Sequence, residues 1–120
     1  MNLRPAERIR RRSEFQNVYE RGARIHGRHS TVFLLRNGST IGRLGIAATR
    51  KLGGAVQRNR AKRLIREVFR RNKIAPGIDI VVVPKRSLLE ATLTVLEAEY
   101  RTIIERELGR ETRASRPSRL

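Results

Sequence analysis

The segment from Arg50 to Lys73, RKLGGAVQRNRAKRLIREVFRRNK, constrains the fold more than any other part of the chain. It carries ten Lys or Arg residues against one acid, Glu67. A uniformly basic run has nothing to bury, but this one is interrupted by apolar residues at helical spacing. Ala61, Leu64, Ile65, Val68 and Phe69 follow the i, i+3, i+4, i+7, i+8 pattern of one buried helix face. At about 3.6 residues per turn, Asn59, Arg60, Lys62, Arg63, Arg66, Arg70 and Arg71 share the opposite arc. Arg58 falls near the edge of the apolar arc. The stretch is therefore predicted to be a helix with one face in a core and a dense cationic face in solvent.

The rest of the composition says what such a face is for. With 120 residues the chain fits one domain, and 38% hydrophobic residues make its core modest. A formal charge of +17 opposes compaction, and a polyanionic partner is the usual compensation. Arginine dominates, and its planar fork suits phosphates and base stacking. No cysteine is present, so disulfides and thiolate metal sites are excluded. The start, MNLRPAERIRRR, lacks an apolar signal core, and no run reaches membrane-spanning length. The chain reads as cytoplasmic, with no membrane partner.

Residues 1–12 read as a basic N-terminal arm, 13–108 as one domain, and 109–120 as a basic, disordered tail. Ser13-Glu14-Phe15-Gln16 has the form of a capping box that starts a short helix ending at Gly22. Residues 24–36 alternate with period two and read as one strand; after the turn Asn37-Gly38-Ser39-Thr40, residues 43–49 read as a second, paired with it as an antiparallel hairpin. Gly53-Gly54 precedes the basic helix. IDIVVV, residues 78–83, has the look of a central strand buried on both faces. A last helix, capped at Ser87 or alternatively at Thr92, carries Leu89, Leu93, Leu96, Tyr100, Ile103 and Ile104 on one stripe and ends at Gly109. The order αββαβα predicts an α+β fold, a small sandwich with a mixed sheet of about four strands and helices packed on one face.

Catalytic chemistry of the chain's own is not evident. Metal-dependent nucleases gather several carboxylates, whereas this chain has one aspartate, Asp79, in a strand expected to be buried. His26 and His29, read on one strand, would point to opposite faces. What remains is a binding surface. Single-stranded RNA is held by a cationic groove and by aromatic rings on which bases stack. Phe15, Tyr19 and Phe33 are candidates for stacking, although a small core also uses every ring it has; Phe69 and Tyr100 are assigned to the core.

The string KLGGAVQRNRAKRLIREVFR, Lys51 to Arg70, resembles the RNR signature of the bacterial ribonuclease P protein subunit. SEFQNVYERG at Ser13–Gly22 and RLGIAATRK ahead of the helix match in order and spacing, so the resemblance covers roughly residues 8–104. It implies an α/β sandwich with a left-handed βαβ crossover. It also implies a catalytic RNA partner that uses Mg2+ to remove the 5′ leader of precursor tRNA, with no catalytic residue and no cofactor in the protein itself. Arg58, Asn59, Arg60, Lys62, Arg63, Arg66 and Arg70 then form the RNA-binding helix. Phe15, Tyr19, Phe33, Thr49, Arg50, Lys51 and Arg58 line the leader cleft. The implied assembly is one monomeric protein with one ribonuclease P RNA, acting on precursor tRNA. The sequence departs from the family pattern at Gly54, commonly Asn, at Tyr19, commonly Phe, and at Arg50, usually Lys. The competing readings are a general basic RNA-binding or RNA-chaperone protein and, more remotely, a protein-only nuclease.

Overall fold

The computed structural model describes residues 3–115, with side chains through Arg110. Its elements are α1 (Arg12–Arg21), β1 (Ala23–His26), β2 (Ser30–Arg36), β3 (Arg43–Ile46), α2 (Ala55–Arg71), β4 (Ile78–Pro84) and α3 (Leu93–Ser115). The strands form one mixed sheet in the order β1-β2-β4-β3. The fold is α+β, as the sequence predicts. β4 takes the centre because its Ile78–Val82 run is buried throughout, so it needs a strand on each side and a layer on each face. It pairs antiparallel with β2 and parallel with β3, and α2 makes the crossover between β3 and β4.

Two expectations about strands fail for related reasons. The run 24–36 is not one strand but a hairpin, β1 with β2, in which the Gly27 amide donates to the Ser30 carbonyl. Its alternation continues through the turn, so periodicity alone cannot show the break. Lys85 Nζ donates to the Gly27 carbonyl at 2.7 Å, and the His29 amide donates to the Glu99 carboxylate. Both contacts are remote in sequence. Nor do the second and third strands pair with each other: β4 inserts between β2 and β3, making the observed order αβββαβα.

The helices also cover both faces of the sheet rather than one. Val32, Leu34, Ile80 and Val82 face α2 and α3, where Ala61, Ile65, Val68, Phe69, Leu96, Tyr100, Ile103 and Ile104 complete the main core. Alternate residues of the same strands, Phe33, Leu35 and Val81, face α1 and pack with Ile9, Phe15 and Val18. Asn72, buried just after α2, joins α2 to α3: its amide donates to the Val68 carbonyl and to Glu97, and accepts from Arg101 Nε at 2.7 Å.

Both chain ends differ from expectation. The first residues are not a loose arm, because Leu3 and Ile9 are buried. The Ile9 amide donates to the Leu44 carbonyl, so Arg8 bridges the outer edge of β3. At the other end, α3 does not stop at Gly109 but continues to Ser115. A single glycine costs a helix about 1 kcal/mol relative to alanine, too little to end one flanked by helix-forming residues. The rest of the proposed tail, 116–120, lies outside the described residues. Thr92, not Ser87, caps α3, its hydroxyl accepting from the Val95 amide; Ser87 sits in a separate 3₁₀ turn, Arg86–Glu90.

α1 is fixed by charge as well as by packing. The Glu14 carboxylate, rather than Ser13, accepts from the Arg10 and Arg11 amides at the helix start. Its other oxygen accepts from Arg43 Nη1 at 2.9 Å. The Arg11 amide first, and Arg43 second, hold the Glu14 pKa down at about 2. An ordinary carboxylate titrates near 4.3, so Glu14 contributes stability above that pH and loses it as pH falls toward 2. Glu14→Gln is expected to cost about 1–3 kcal/mol at pH 7. In urea unfolding, the gap between variant and parent should close between about pH 5 and pH 2; a gap independent of pH would show that the charge is not responsible. A second expectation concerns Gly45 on β3, where a Cβ would meet the Phe15 ring at 2.8 Å and Ile9 Cβ at 3.0 Å. Gly45→Ala should lower stability by about 1–3 kcal/mol through overpacking, read as a shift in the urea midpoint.

Candidate nucleic-acid interface

One turn of α1 separates Phe15 from Tyr19, so both rings project onto the same side of the sheet. Their centroids are 6.4 Å apart, and Tyr19 meets Phe33 of β2 edge to face at 4.9 Å. The three candidate aromatics therefore form one continuous row. Tyr19 is 36% exposed, and Phe15 and Phe33 are half-buried. Phe15 and Phe33 thus each have one side in the minor core and another near solvent. Burial raises the Tyr19 phenol pKa, so the ring stays neutral at physiological pH.

α2 is the amphipathic helix that the periodicity predicts, with Ala61, Ile65, Val68 and Phe69 buried and Leu64 half-buried. Its cationic side divides into parts. Asn59, Arg60 and Arg63 are exposed. Lys62 and Arg66, four residues apart, are half-buried and wall a cavity of about 210 Å3 together with Arg8, Arg10, Phe15 and Ile46. Within this cavity the buried Arg8 Nε has no hydrogen-bond partner. Arg70 is paired instead with Glu67, Nη2 to Oε2 at 2.5 Å, which raises its pKa. Arg71 pairs with Glu97 at 3.3 Å.

The remaining predicted cleft residues lie on the connection from β3 to α2. Thr49, Arg50 and Lys51 are exposed there, in and just before the turn Arg50–Leu52. Arg58 does sit at the edge of the buried face, as predicted, but its Nη1 donates to the Gly53 carbonyl at 2.9 Å and ties the helix to this turn. Gly53 holds φ at 137°, a backbone that side chains rarely adopt. Gly54 is the N-cap with extended backbone. Glycine there costs only a few tenths of a kcal/mol relative to an asparagine cap, so the departure at this position leaves the helix start intact.

Three residues had no assigned role in the sequence. Arg8 and Arg10 come from the segment read as an arm; the only local sign of their placement is the buried Ile9 between them. Gly45 matters because its lack of a side chain lets Phe15 lie against β3. His26 and His29 do not lie on one strand: His26 approaches Thr31, and His29 Nδ1 is 2.9 Å from Ser87 Oγ. Asp79 is consumed by Arg43 and Asn37. The arrangement brings together rings, cations and a groove, which is the chemistry of single-strand binding rather than of bond cleavage.

Comparisons with known proteins identify the family. The family model described as Ribonuclease P matches residues 3–107. The ribonuclease P protein component of Clostridioides difficile is 32% identical over 109 residues, covering 88% of this chain and 96% of that protein. That of Thermotoga maritima is 43% identical over 86 residues, covering 70% and 74%. Among solved structures, the Thermotoga maritima protein superposes with a TM-score of 0.75 at 36% identity, covering 83% of this chain and 96% of the other. The Staphylococcus aureus protein gives 0.73 at 31% identity, covering 82% and 93%. No helix among the described residues is long and apolar enough to cross a membrane. In sequence and in fold the chain belongs to the ribonuclease P protein component family, the protein subunit of the RNA-containing ribonuclease that processes tRNA.

Proposed function

We propose that this subunit binds one ribonuclease P RNA through the outer face of α2 and grips the 5′ leader of precursor tRNA along the aromatic row. The observation that carries the reading is the position of Phe15. It is at once the first ring of the row and a wall of the cavity bounded by Lys62, Arg66, Arg8 and Arg10. A single strand entering there meets a stacking surface and phosphate-binding cations together, as single-strand grooves require. Arg60 and Arg63 are exposed and form no ion pair among the described residues, and they suit the folded RNA partner. Arg50 and Lys51, with the Thr49 hydroxyl beside them, extend the cationic surface beyond β3.

The hydrolysis belongs to the RNA. Among the described residues no three His, Asp or Glu side chains gather where they could hold a metal ion, and Asp79 and Glu14 are engaged by Arg43, Glu67 by Arg70, and Glu97 by Arg71. Mg2+ is therefore assigned to the RNA subunit, and the protein supplies leader affinity and relief of phosphate repulsion. Gripping the leader favours precursor over mature tRNA, since the mature product lacks it.

One experiment separates this reading from a general RNA chaperone and from a protein-only nuclease: precursor cleavage at low Mg2+ with the protein alone, with a bacterial ribonuclease P RNA, and with that RNA alone. Cleavage is expected to be fastest with both, and absent with protein alone. In the combined sample Phe15→Ala should weaken precursor binding by about 1–3 kcal/mol and leave mature tRNA binding unchanged. Equal losses for both tRNAs would reject leader binding. For the outer face, the double variant Arg60→Ala, Arg63→Ala should weaken assembly with the RNA and flatten its salt dependence, with the melting temperature of the free protein unchanged. If about six phosphates are neutralised, the parent loses roughly a thousandfold in affinity between 50 and 200 mM salt; a salt-insensitive complex would contradict the proposal.

A further inference from the structure

We infer that Arg24 and Phe33 form one nucleotide-binding unit at the far end of the aromatic row, with Arg24 holding the phosphate of the leader nucleotide whose base stacks on Phe33. The inference rests on the leader reading above and adds to it a residue from the edge strand. Arg24 lies on β1 directly across from Phe33 of β2, so both side chains stand on the face that carries Phe15 and Tyr19. The Arg24 guanidinium carbon is 5.8 Å from the centre of the Phe33 ring, within cation–π range.

Arg24 is exposed, and no carboxylate among the described residues pairs with it. That separates it from Arg43, which stands on the same face and is held by two carboxylates. An exposed cation–π contact is weak, so a phosphate diester displaces the guanidinium from the ring at little cost and leaves the ring to a base. The row then has cations at both ends: Lys62 and Arg66 beside Phe15, and Arg24 beside Phe33. Three rings in succession between them accept successive bases of an extended strand. Charge at the outer end holds the last stacked nucleotide against fraying. The plainer role for a basic residue on an edge strand is to discourage self-association, and the two roles predict different behaviour.

The test uses the reconstituted protein–RNA enzyme and precursor tRNAs with leaders lengthened one nucleotide at a time, with mature tRNA as control. Arg24→Ala should weaken binding about three- to tenfold, only for leaders long enough to occupy the whole row, and should leave mature tRNA unaffected. Arg24→Lys, which keeps a phosphate-binding charge, should restore most of the loss. Phe33→Ala should remove the same length-dependent gain, and adding Arg24→Ala to it should weaken binding by less than a further twofold. Multiplicative losses in the double variant, losses at every leader length, failure of Arg24→Lys to rescue, or a change only in self-association would each overturn the unit. Should Phe33→Ala retain leader dependence intact, the leader reading and this inference fall together. Should Phe33→Ala lose it while Arg24→Ala does not, only this inference falls.

Discussion

The contact on which the structure most depends is the pair between Asp79 and Arg43. Asp79, on the central strand, is 3% exposed, and an unpaired carboxylate there would cost several kcal/mol. Arg43 meets it through two hydrogen bonds, Nε to Oδ1 at 2.8 Å and Nη2 to Oδ2 at 2.6 Å, while Asn37 donates to Oδ1 at 2.8 Å. Arg43 lies beside Asp79 in the parallel ladder. A slip of one residue would turn it to the other face, so the ion pair selects the register of β3 on β4. That register puts Gly45 beside Val81, beneath Phe15. The same guanidinium reaches Glu14, next to Phe15 in the chain. One charge thus orients the strand below the ring and the helix that carries it.

The same logic organises the excess of positive charge. Cations needed for the fold are neutralised inside it: Arg43 by Asp79 and Glu14, Arg70 by Glu67, Arg71 by Glu97, and Lys73 by Glu7. Among the described residues, Lys62 and Arg66 at the groove and Arg60 and Arg63 on the outer side of α2 form no ion pair. Six of the acids are thus placed in ion pairs, with Glu107 beside Arg110 as the sixth. On the proposed reading, a polyanion bound at the groove removes part of the protein's self-repulsion.

The parts legible in the sequence were those whose information is local. Five apolar residues at helical spacing gave the buried face of α2, and an unbroken β-branched run gave the central strand. Order within the sheet was not legible, because the insertion of β4 between β2 and β3 follows from burying both faces of one strand and leaves no mark on the strands it separates. The β1–β2 turn was hidden because its alternation is uninterrupted and its anchors, Lys85 and Glu99, are remote. Phe15 and Phe33 resisted assignment to core or surface for a physical reason: each is half-buried and belongs to both. Arg8 and Arg10 were obscured by composition, since a basic stretch with few apolar residues looks solvated until Leu3 and Ile9 are seen to anchor it.

The bridge from the N-terminal segment to β3 has a consequence for solubility. β3 is an outer strand, and a bare strand edge is a template on which another copy can add. Here the Ile9 amide occupies the Leu44 carbonyl, and the arginines on either side of Ile9 surround that edge with charge of one sign. The residues that guard the sheet against polymerising are also those that wall the groove. On the proposed reading, a chain shortened at its beginning would lose its protection against self-assembly and part of its hold on RNA at one stroke, and bound RNA, by covering the same edge, would conceal the first defect.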